Sequence, residues 1–403
     1  MKKKILFVGD DPKLLDRFKR MLRGMRREWE LKFTGSGPDA LELLRKEQSQ
    51  VLVTDTHTSG MDGLELLNRV RTLYPHIVRI ILSGDDDSVL KSIGPAHQYL
   101  SKSCDADTLK STVSRACAMR TFLEDGALVG VISSIESLPS LPSLYTEVVE
   151  EVNSPSGSLR KVGEIISKDV GMSAKILQLA NSTAFGLPGR IASPAKAVLL
   201  LGLETIKSLI LSVKIFSQFD QAAVPGLSIA SLWNHSIATA IIARSLATQH
   251  DMEQKKIDEA FMAGLLHDVG KLILLDRFPQ KAEEIAILQN SRGYRPWRAE
   301  QKIIGTTHAQ VGAYLMGIWG LSESIVEAIA YHHCPSQCPN TAFNILTTVH
   351  LANGLEHGEN EGANACDERL DNEYLTRLGI GTRVDDWRLV AEDAPQRMIN
   401  RNI

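Results

Sequence analysis

The sequence lacks any apolar run that approaches the roughly 20 residues of a membrane-spanning helix. Its start, MKKKILFVGDD, is basic and then apolar, but acidic residues follow after four apolar ones, too few for the apolar core of a secretory signal. Lys2–Lys4 are better explained as the solvated start of a first strand. The sequence therefore predicts neither a membrane segment nor a signal peptide.

Cysteine is scarce and odd in number, with five in 403 residues. This argues against a disulfide framework and favours a reducing compartment, so we expect a cytoplasmic protein. Cys334 and Cys338 form a lone close pair, with no second pair to complete an all-cysteine metal site. We interpret the pair as structural, with a role beside nearby histidine ligands as the alternative. The net charge of -3 gives no overall drive toward nucleic acid or anionic membrane.

The chain does have length, and 403 residues fit two or three domains. The first 122 residues alternate apolar runs of strand composition with segments of helical periodicity, the last of which begins near Asp105. This predicts an α/β fold, a doubly wound parallel sheet of five strands. The expected strands are Ile5–Val8, Leu31–Thr34, Val51–Val53, Val78–Leu82 and Gln98–Leu100.

Four side chains with complementary chemistry follow strand ends: Asp10, Asp55, Ser83 and Lys102. Right-handed crossovers bring these strand ends to one edge of the sheet. Two converging carboxylates repel, so Mg2+ is their natural partner, and the backbone carbonyl of His57 can add a ligand. Asp55 could then attack a phosphoryl group, while Lys102 neutralises charge and Ser83 holds the acyl phosphate. Each residue alone has an ordinary turn or surface explanation, but their joint order favours a phosphoacceptor site.

This N-terminal part resembles the receiver domain of two-component response regulators, in the segments ILFVGDDP, VLVTDTHTSGMDGL, RIILSG and QYLSK. The resemblance implies a sensor histidine kinase or phosphotransfer protein as the phosphoryl donor. It also implies the following roles: phosphoacceptor Asp55, metal ligand Asp10, phosphoryl-bonding hydroxyl Ser83, cation Lys102 and aromatic switch Tyr99.

The sequence departs from the receiver pattern at a few positions. Gly9 stands where the family usually has one acid of an acidic pair, and Asp11 is a candidate to compensate as a metal ligand. Ser59 and Ser103 replace two prolines, one after the phosphoacceptor and one after the lysine. These departures bear on metal affinity and phosphorylation rate, not on the fold.

We expect a receiver domain at 1–122, a Ser/Pro-rich linker at 123–137, an all-helical domain at 138–390 and a tail at 391–403. From residue 138 the periodicity is helical nearly throughout, and no strand alternation of any length occurs. The last helix before the linker carries apolar residues on one face, which either pack on the sheet or form the seam of a homodimer. We favour packing for its first half.

Histidines mark the helical region: His235, His267 beside Asp268, His308, and the pair His332-His333. A lone histidine on an apolar helix is usually a core residue, but a His-Asp pair with three further histidine-bearing helices indicates a metal site. Neutral imidazole and carboxylate suit Fe, Mn, Zn or Ni. A bound divalent transition metal could activate water, with Lys271 one turn further to meet a phosphate.

Residues 138–390 resemble the HDOD domain, an HD-related output domain of bacterial signalling proteins, in SLPSLPSLYTEVVEEVN, SAKILQLANSTAFGLP, AVLLLGLETIKSLIL and AGLLHDVGKLIL. The resemblance implies kinship with HD phosphohydrolases, including cyclic di-GMP hydrolases of HD-GYP type, whose metal-binding pattern the histidines and Asp268 match. The closing Asp of that pattern is Asn353 here. The segment CPSQCPN after His333 lacks the acidic residue and the GYP element. The family is usually regarded as an interaction output without demonstrated catalysis.

Three functions compete. The first is a response regulator in which phosphorylation of Asp55 controls an HDOD domain that binds a partner protein or a nucleotide second messenger. The second is a receiver-gated, metal-dependent phosphodiesterase acting on a cyclic dinucleotide or another phosphodiester. The third is a DNA-binding regulator, because residues 158–219 carry 8 Lys and Arg against 3 acids, although a solvated face explains this equally. We predict the first, because Asp268 is the only acid that the sequence places at the cluster and Asn353 is neutral.

Overall fold

The computed structural model describes residues 2–47, 49–74, 77–83, 96, 98–123, 128, 143–154, 157–182, 185, 187, 191–217, 228–292, 294–338, 340, 342–356, 369–381, 384 and 386–391. The expected linker and tail lie almost entirely outside these residues. The chain divides into two compact units, residues 1–140 with 314–323, and residues 141–313 with 324–403. None of the described helices has the length and apolarity needed to cross a membrane.

Five parallel strands form one sheet in the N-terminal part of the chain. They are β1 (Lys3–Val8), β2 (Trp29–Thr34), β3 (Val51–Asp55), β4 (Val78–Ser83) and β5 (Gln98–Ser101). The strand order is β2-β1-β3-β4-β5, so β1 pairs with both β2 and β3. Open sheets of this kind bind ligands outside the carboxyl ends of the strands, where the order reverses. The predicted α/β fold with a five-stranded parallel sheet is confirmed.

Helices connect these strands, and their first turns are capped by side chains. They are α1 (Pro12–Met21), α2 (Gly37–Lys46), α3 (Gly63–Leu73) and α4 (Ala106–Leu123), with a 3-10 turn at Arg23–Arg27. The side chains of Asp11, Ser36 and Asp62 accept hydrogen bonds from the first turns of α1, α2 and α3. All of β3 is buried, as expected of a strand that is covered on both faces of the sheet. Asp55 is the last residue of this strand, so it lies at the carboxyl ends of the strands.

The chain from residue 143 onward is helical, and its described residues contain no strand. The helices are α5 (Ser143–Asn153), α6 (Leu159–Lys168), α7 (Val170–Ala180), α8 (Pro194–Leu201), α9 (Leu203–Ser217), α10 (Ile229–Gln249), α11 (Gln254–Leu266), α12 (Val269–Arg277), α13 (Pro279–Arg292), α14 (Pro296–Ile303), α15 (His308–Ile318), α16 (Glu323–Tyr331), α17 (Ile345–Glu356) and α18 (Asn372–Arg377). Helix α10 packs against both α11 and α17 in the core. The predicted all-helical second region is confirmed.

Two long helical runs of the sequence are each broken into two helices. In the run that begins at Pro194, the first helix stops before Gly202. The φ of Gly202 is 79°, in the left-handed region that glycine tolerates. The run that contains the His-Asp pair breaks at His267 and Asp268, which separate α11 from α12. The second break lies at the candidate metal site.

Candidate functional site

A cleft with a volume of about 680 Å³ lies at the carboxyl edge of the sheet. It brings together most of the side chains that the sequence places at this edge. Asp55 ends β3 and is only 2% exposed, so its carboxylate is held in place by its surroundings. The lining residues are Asp10, Asp11, Leu14, Arg17, Asp55, His57, Lys102 and Ser103.

Three groups contact the same carboxylate oxygen of Asp55. Lys102 Nζ lies 2.7 Å from Oδ1. The hydroxyl of Thr56 donates to this oxygen at 3.1 Å, and the backbone N–H of His57 donates to it at 3.3 Å. The other oxygen of Asp55, Oδ2, faces residue 9. A Cβ built on Gly9 would lie 4.0 Å from this oxygen.

The acidic residues beside Asp55 differ in what they do. Asp10 is exposed in the cleft, whereas Asp11 caps α1 by accepting from the backbone N–H of Lys13 at 2.8 Å. A Cβ added to Gly9 would lie 3.4 Å from the Cβ of Asp55, which leaves room for a side chain there. The side chains of Ser83 and Tyr99 lie outside the described residues, so their predicted roles stay predictions.

Arg17 is a residue of this cleft that sequence reasoning missed. Its guanidinium donates to the backbone carbonyls of Lys102 at 3.0 Å, Ser103 at 3.1 Å and Cys104 at 2.6 Å. These contacts tie the loop that carries Lys102 to helix α1. No local signal marks Arg17, because its partners lie 85 to 87 residues away.

The second candidate site is the histidine cluster, defined as His235, His267, Asp268, His308, His332 and His333. The structure brings all six together in two overlapping groups that share Asp268. One group adds His235 and His267, and the other adds His308, His332 and His333. Within each group the ligand atoms lie within 4.8 Å of one another. This spacing is compatible with metal coordination.

Asp268 is the centre of the cluster. It occupies the N-cap position of α12, yet its carboxylate makes no capping hydrogen bond. The carboxylate is 1% exposed, and Lys271 Nζ lies 2.6 Å from Oδ2. Oδ1 lies 3.1 Å from His308 Nε2. Gly270 lets the backbone of α12 come close to the backbone of His308, because a Cβ at residue 270 would lie 2.0 Å from the carbonyl oxygen of His308.

Two glutamates orient the histidines from outside. Glu356 Oε2 lies 2.6 Å from Nδ1 of His235. Glu300 lies 2.6 Å from Nδ1 of His308 and also accepts from the backbone N–H of that residue at 2.8 Å. A carboxylate at Nδ1 keeps the proton on that nitrogen and leaves the lone pair of Nε2 directed into the cluster. This arrangement is typical of histidines that bind metals.

Backbone carbonyls orient two further histidines in the same way. Gly264 O lies 2.7 Å from Nδ1 of His267, and Ile329 O lies 2.8 Å from Nδ1 of His332. A carbonyl only accepts, so each of these Nδ1 atoms carries the proton. The Nε2 atoms of His235 and His267 then face each other at 3.1 Å with lone pairs on both sides.

Buried acceptor atoms of this cluster face no donor among the described residues. The buried His332 Nε2 has no hydrogen-bond partner within the described chain, and Asp268 Oδ1 accepts a hydrogen bond only when His308, at 3.1 Å, carries a proton on Nε2. Buried polar atoms without partners are costly, and facing lone pairs repel. A divalent metal would accept these lone pairs, so the residues present fit a metal such as Fe, Mn, Zn or Ni.

Protonation favours metal binding at three of the histidines. Burial is the largest influence on them, and it lowers the pKa of His267 and lowers the pKa values of His332 and His333 to well below the usual range. Burial alone would also lower the pKa of His308, but Glu300 and Asp268 raise it, so a metal that binds there displaces a proton. Burial alone would raise the pKa of Asp268, but the neighbouring His267 and Lys271 hold it well below its usual range.

One acid supplies ligand atoms in the two groups that the described residues form, and this suits one divalent ion better than two. Asp268 is that acid, and Lys271 Nζ lies 2.6 Å from its Oδ2, whereas Glu300 and Glu356 contact the outer Nδ1 atoms of two histidines. The sequence places only Asp268 there, so the two glutamates are additions from the structure. Asn353 lies one turn before Glu356 on α17 and makes no hydrogen bond to the cluster in the described part of the chain.

The cysteine pair lies outside the metal-binding groups that the described residues form. Cys334 and Cys338 are both free. Burial raises the pKa of each thiol to about 11. A protonated thiol is a poor metal ligand, so the site consists of histidine and carboxylate groups.

Comparisons with known proteins assign a family to each part. The model of the response regulator receiver domain matches residues 5–114, and the model of the HDOD domain matches residues 138–335. An uncharacterized protein of Treponema pallidum is 27% identical over 210 residues, which are 51% of this chain and 40% of that protein. The hydrogenase transcriptional regulatory protein HoxA of Bradyrhizobium diazoefficiens is 29% identical over 131 residues, 32% of this chain and 26% of that protein. The chain thus spans well under two thirds of either relative.

Solved structures share the fold of the helical part. An HDOD domain protein of unknown function from Geobacter sulfurreducens matches with a TM-score of 0.56 and 22% identity, over 70% of this chain and 97% of that one. A protein from Shewanella amazonensis SB2B, described only provisionally as a phosphohydrolase, matches with a TM-score of 0.51 and 21% identity, over 68% of this chain and 99% of that one. These likenesses show the fold of the helical part, and the two family matches show that the chain is a response regulator in which a receiver domain precedes an HDOD domain.

Proposed function

We propose that Asp55 accepts a phosphoryl group and that this phosphorylation controls the HDOD domain. A receiver domain implies a phosphoryl donor, such as a sensor histidine kinase or a phosphotransfer protein. An oxygen of Asp55 attacks phosphorus and forms the acyl phosphate, while the bond to the donor breaks and the donor keeps its electron pair. Lys102, 2.7 Å from Asp55, stabilises the charge on the transferring oxygens. Mg2+ held by Asp10, Asp55 and the carbonyl of His57 would supply further positive charge.

The output that the geometry supports best is binding of a phosphate-bearing ligand at the histidine cluster. The observation that carries this proposal is the set of inward-facing Nε2 lone pairs, above all His235 and His267 at 3.1 Å. A divalent metal bound there would attract phosphate oxygens. Glu300 and Glu356 hold His308 and His235 in the tautomers that direct Nε2 into the cluster. Burial of the cluster excludes water.

Hydrolysis of a phosphodiester is the second candidate. It is favoured by Asp268, which both ligand groups share as a bridging carboxylate would in a two-metal site. The single carboxylate in the two ligand groups of the described residues and the neutral Asn353 weigh against a second divalent ion. Cyclic di-GMP and a generic phosphodiester should therefore stay intact when Mn2+, Fe2+ or Zn2+ is added to the full chain. Turnover that is lost in both His267→Ala and Asp268→Ala would establish the enzyme instead.

Control by phosphorylation is tested on the full chain by hydrogen exchange, with and without acetyl phosphate. We expect exchange in the helical domain to change on phosphorylation, because a bound phosphoryl group favours one of two arrangements of a receiver. Asp55→Asn is the matched control, which acetyl phosphate should leave unchanged. If the helical domain exchanges hydrogen identically in the unphosphorylated and the fully phosphorylated protein, phosphorylation of the receiver does not control it.

DNA binding ranks last among the proposals, and a homodimer stays a prediction. Within the basic region, Lys214 pairs with Asp169 at 2.6 Å and Lys207 pairs with Glu204 at 2.8 Å, which neutralises part of its charge. We propose a cytoplasmic setting, since that is where two-component partners of this kind meet. A salt-dependent DNA shift assay tests nucleic-acid binding, and the absence of a shift at low salt is the expected result.

A further inference from the structure

Helix α14 contacts the histidine cluster through two of its residues. The indole ring of Trp297 packs nearly parallel to the imidazole of His333, with ring centres 6.0 Å apart and 15° between the planes. Glu300, one turn later, holds the imidazole and the backbone of His308. His308 and His333 both belong to the ligand group around Asp268. Helix α14 therefore forms part of the wall of this group.

Two arginines at the start of the same helix have no counterion among the residues that the structure describes. Arg298 lies over Trp297, with its guanidinium carbon 5.1 Å from the ring centre, and Arg295 occupies the N-cap position without a side-chain capping bond. Neither forms an ion pair or a side-chain hydrogen bond in the part of the chain that the structure describes. Arg298 thus lies on the ring that packs against His333, and Arg295 lies three residues earlier at the start of the same helix.

We propose that Arg295 and Arg298 bind phosphate oxygens of the ligand that the histidine cluster takes. The inference rests on the proposed function and names the residues that recognise the ligand's phosphate. A guanidinium presents a planar fork of donors that matches phosphate in a bidentate way. Packing against Trp297 holds the Arg298 fork in advance, so less side-chain freedom is lost when the anion binds. The ligand class is a phosphate ester whose phosphate group contacts the arginines and the metal together.

The same helix links phosphate recognition to the metal. Arg298 packs on Trp297, which packs on His333, while Glu300 holds His308. An anion that fixes the start of α14 thereby favours the positions of two metal ligands. By thermodynamic linkage, phosphate should raise metal affinity by the same factor by which metal raises phosphate affinity.

The test titrates inorganic phosphate into the full chain loaded with Mn2+, by calorimetry at constant ionic strength. Arg298→Ala and Arg295→Ala should each weaken phosphate binding roughly tenfold, and the double variant further, since each loses a charge-assisted contact. Lys302→Ala is the matched control, because Lys302 is an exposed cation of the same helix that bonds instead to the hydroxyl of Tyr294 at 3.2 Å. This control should bind phosphate as the parent does. All variants should keep their Mn2+ content.

The outcomes distinguish this inference from the proposed function. Unchanged phosphate affinity in the double variant, with Mn2+ bound, would overturn the role of the arginines and leave the metal site standing. An equal loss in Lys302→Ala would also overturn it, because the effect would then be general electrostatics. A parent chain that binds Mn2+ but no phosphate overturns the inference, and one that binds no metal overturns the proposed function itself.

Discussion

The cleft around Asp55 and the histidine cluster both centre on a buried aspartate paired with a lysine. Lys102 lies 2.7 Å from Asp55, and Lys271 lies 2.6 Å from Asp268. Their surroundings differ, however. Asp55 opens onto a polar cleft and receives donors from its own two neighbours in sequence, whereas Asp268 is enclosed by lone pairs of histidines from several helices.

We propose that this difference separates a site for a transient group from a site for a resident ion. Oδ1 of Asp55 already has a lysine and hydrogen-bond donors within the chain. The cluster has a buried acceptor, His332 Nε2, without a donor in the described chain, and a cation would complete it. The comparison predicts that phosphorylation of the first site depends on one nucleophile, Asp55. Metal binding at the second site should depend on several residues together.

The largest expected effect is at Asp55. Asp55→Asn should abolish labelling by acetyl phosphate, because the carboxylate is the nucleophile and an amide cannot replace it. Intact-mass measurement with Mg2+ present checks this. Asp16→Asn, an exposed acid on α1 paired with Lys19, should label as the parent does. Equal labelling of Asp55→Asn and the parent would refute the phosphoacceptor assignment.

Loss of a cluster histidine should remove the metal. His308→Ala takes away one ligand and leaves Glu300 without its imidazole partner, so the bound divalent metal per chain should fall to near zero. Metal analysis after dialysis measures this directly. His250→Ala is the control, since His250 is exposed and stacks on Phe343 away from the cluster. A full metal content in His308→Ala would show that the ion binds elsewhere.

The glutamates should have a graded effect. Glu300→Gln keeps an acceptor for His308 but removes the negative charge, and we expect metal affinity to fall roughly tenfold to a hundredfold, as is usual for such outer partners. Competition with a metal-binding dye gives the affinity. Glu284→Gln, on α13, is the control and should change nothing. An unchanged affinity in Glu300→Gln would reduce this residue to a purely structural role.

The smallest effect concerns the missing acid of the receiver. Gly9→Asp should strengthen Mg2+ binding by about 1 kcal/mol, roughly fivefold, because it adds a carboxylate beside Asp55. The space exists, since the added Cβ meets Asp55 Cβ at 3.4 Å. The Mg2+ concentration for half-maximal phosphorylation should fall accordingly. No change would mean that Asp10 and Asp55 alone determine the affinity.

The sequence predicts the receiver better than the cluster because of how each is assembled. A parallel sheet brings strand ends to one edge, so Asp10, Asp55 and Lys102 can be placed together from topology alone. Arg17 cannot be placed in this way, because its partners are backbone carbonyls, which carry no sequence signal.

The histidines of the cluster are visible as a motif, but their outer partners are not. Glu356 lies 121 residues from His235, and only the packing of α10 against α17 brings them together. Glu300 gives a weak signal, as an acid beside Ala299 on the buried face of α14. The break between α11 and α12 was hidden as well, because the helical periodicity continues through the His-Asp pair.

The stoichiometry of metal binding tests the central claim most directly. The purified full chain, stripped with a chelator, is titrated with Mn2+ or Zn2+ and followed by calorimetry. The account predicts about one tightly bound divalent ion per chain, since Asp268 is the one carboxylate in the two ligand groups that the described residues form. Binding of two ions with similar affinity, or of none, would contradict it.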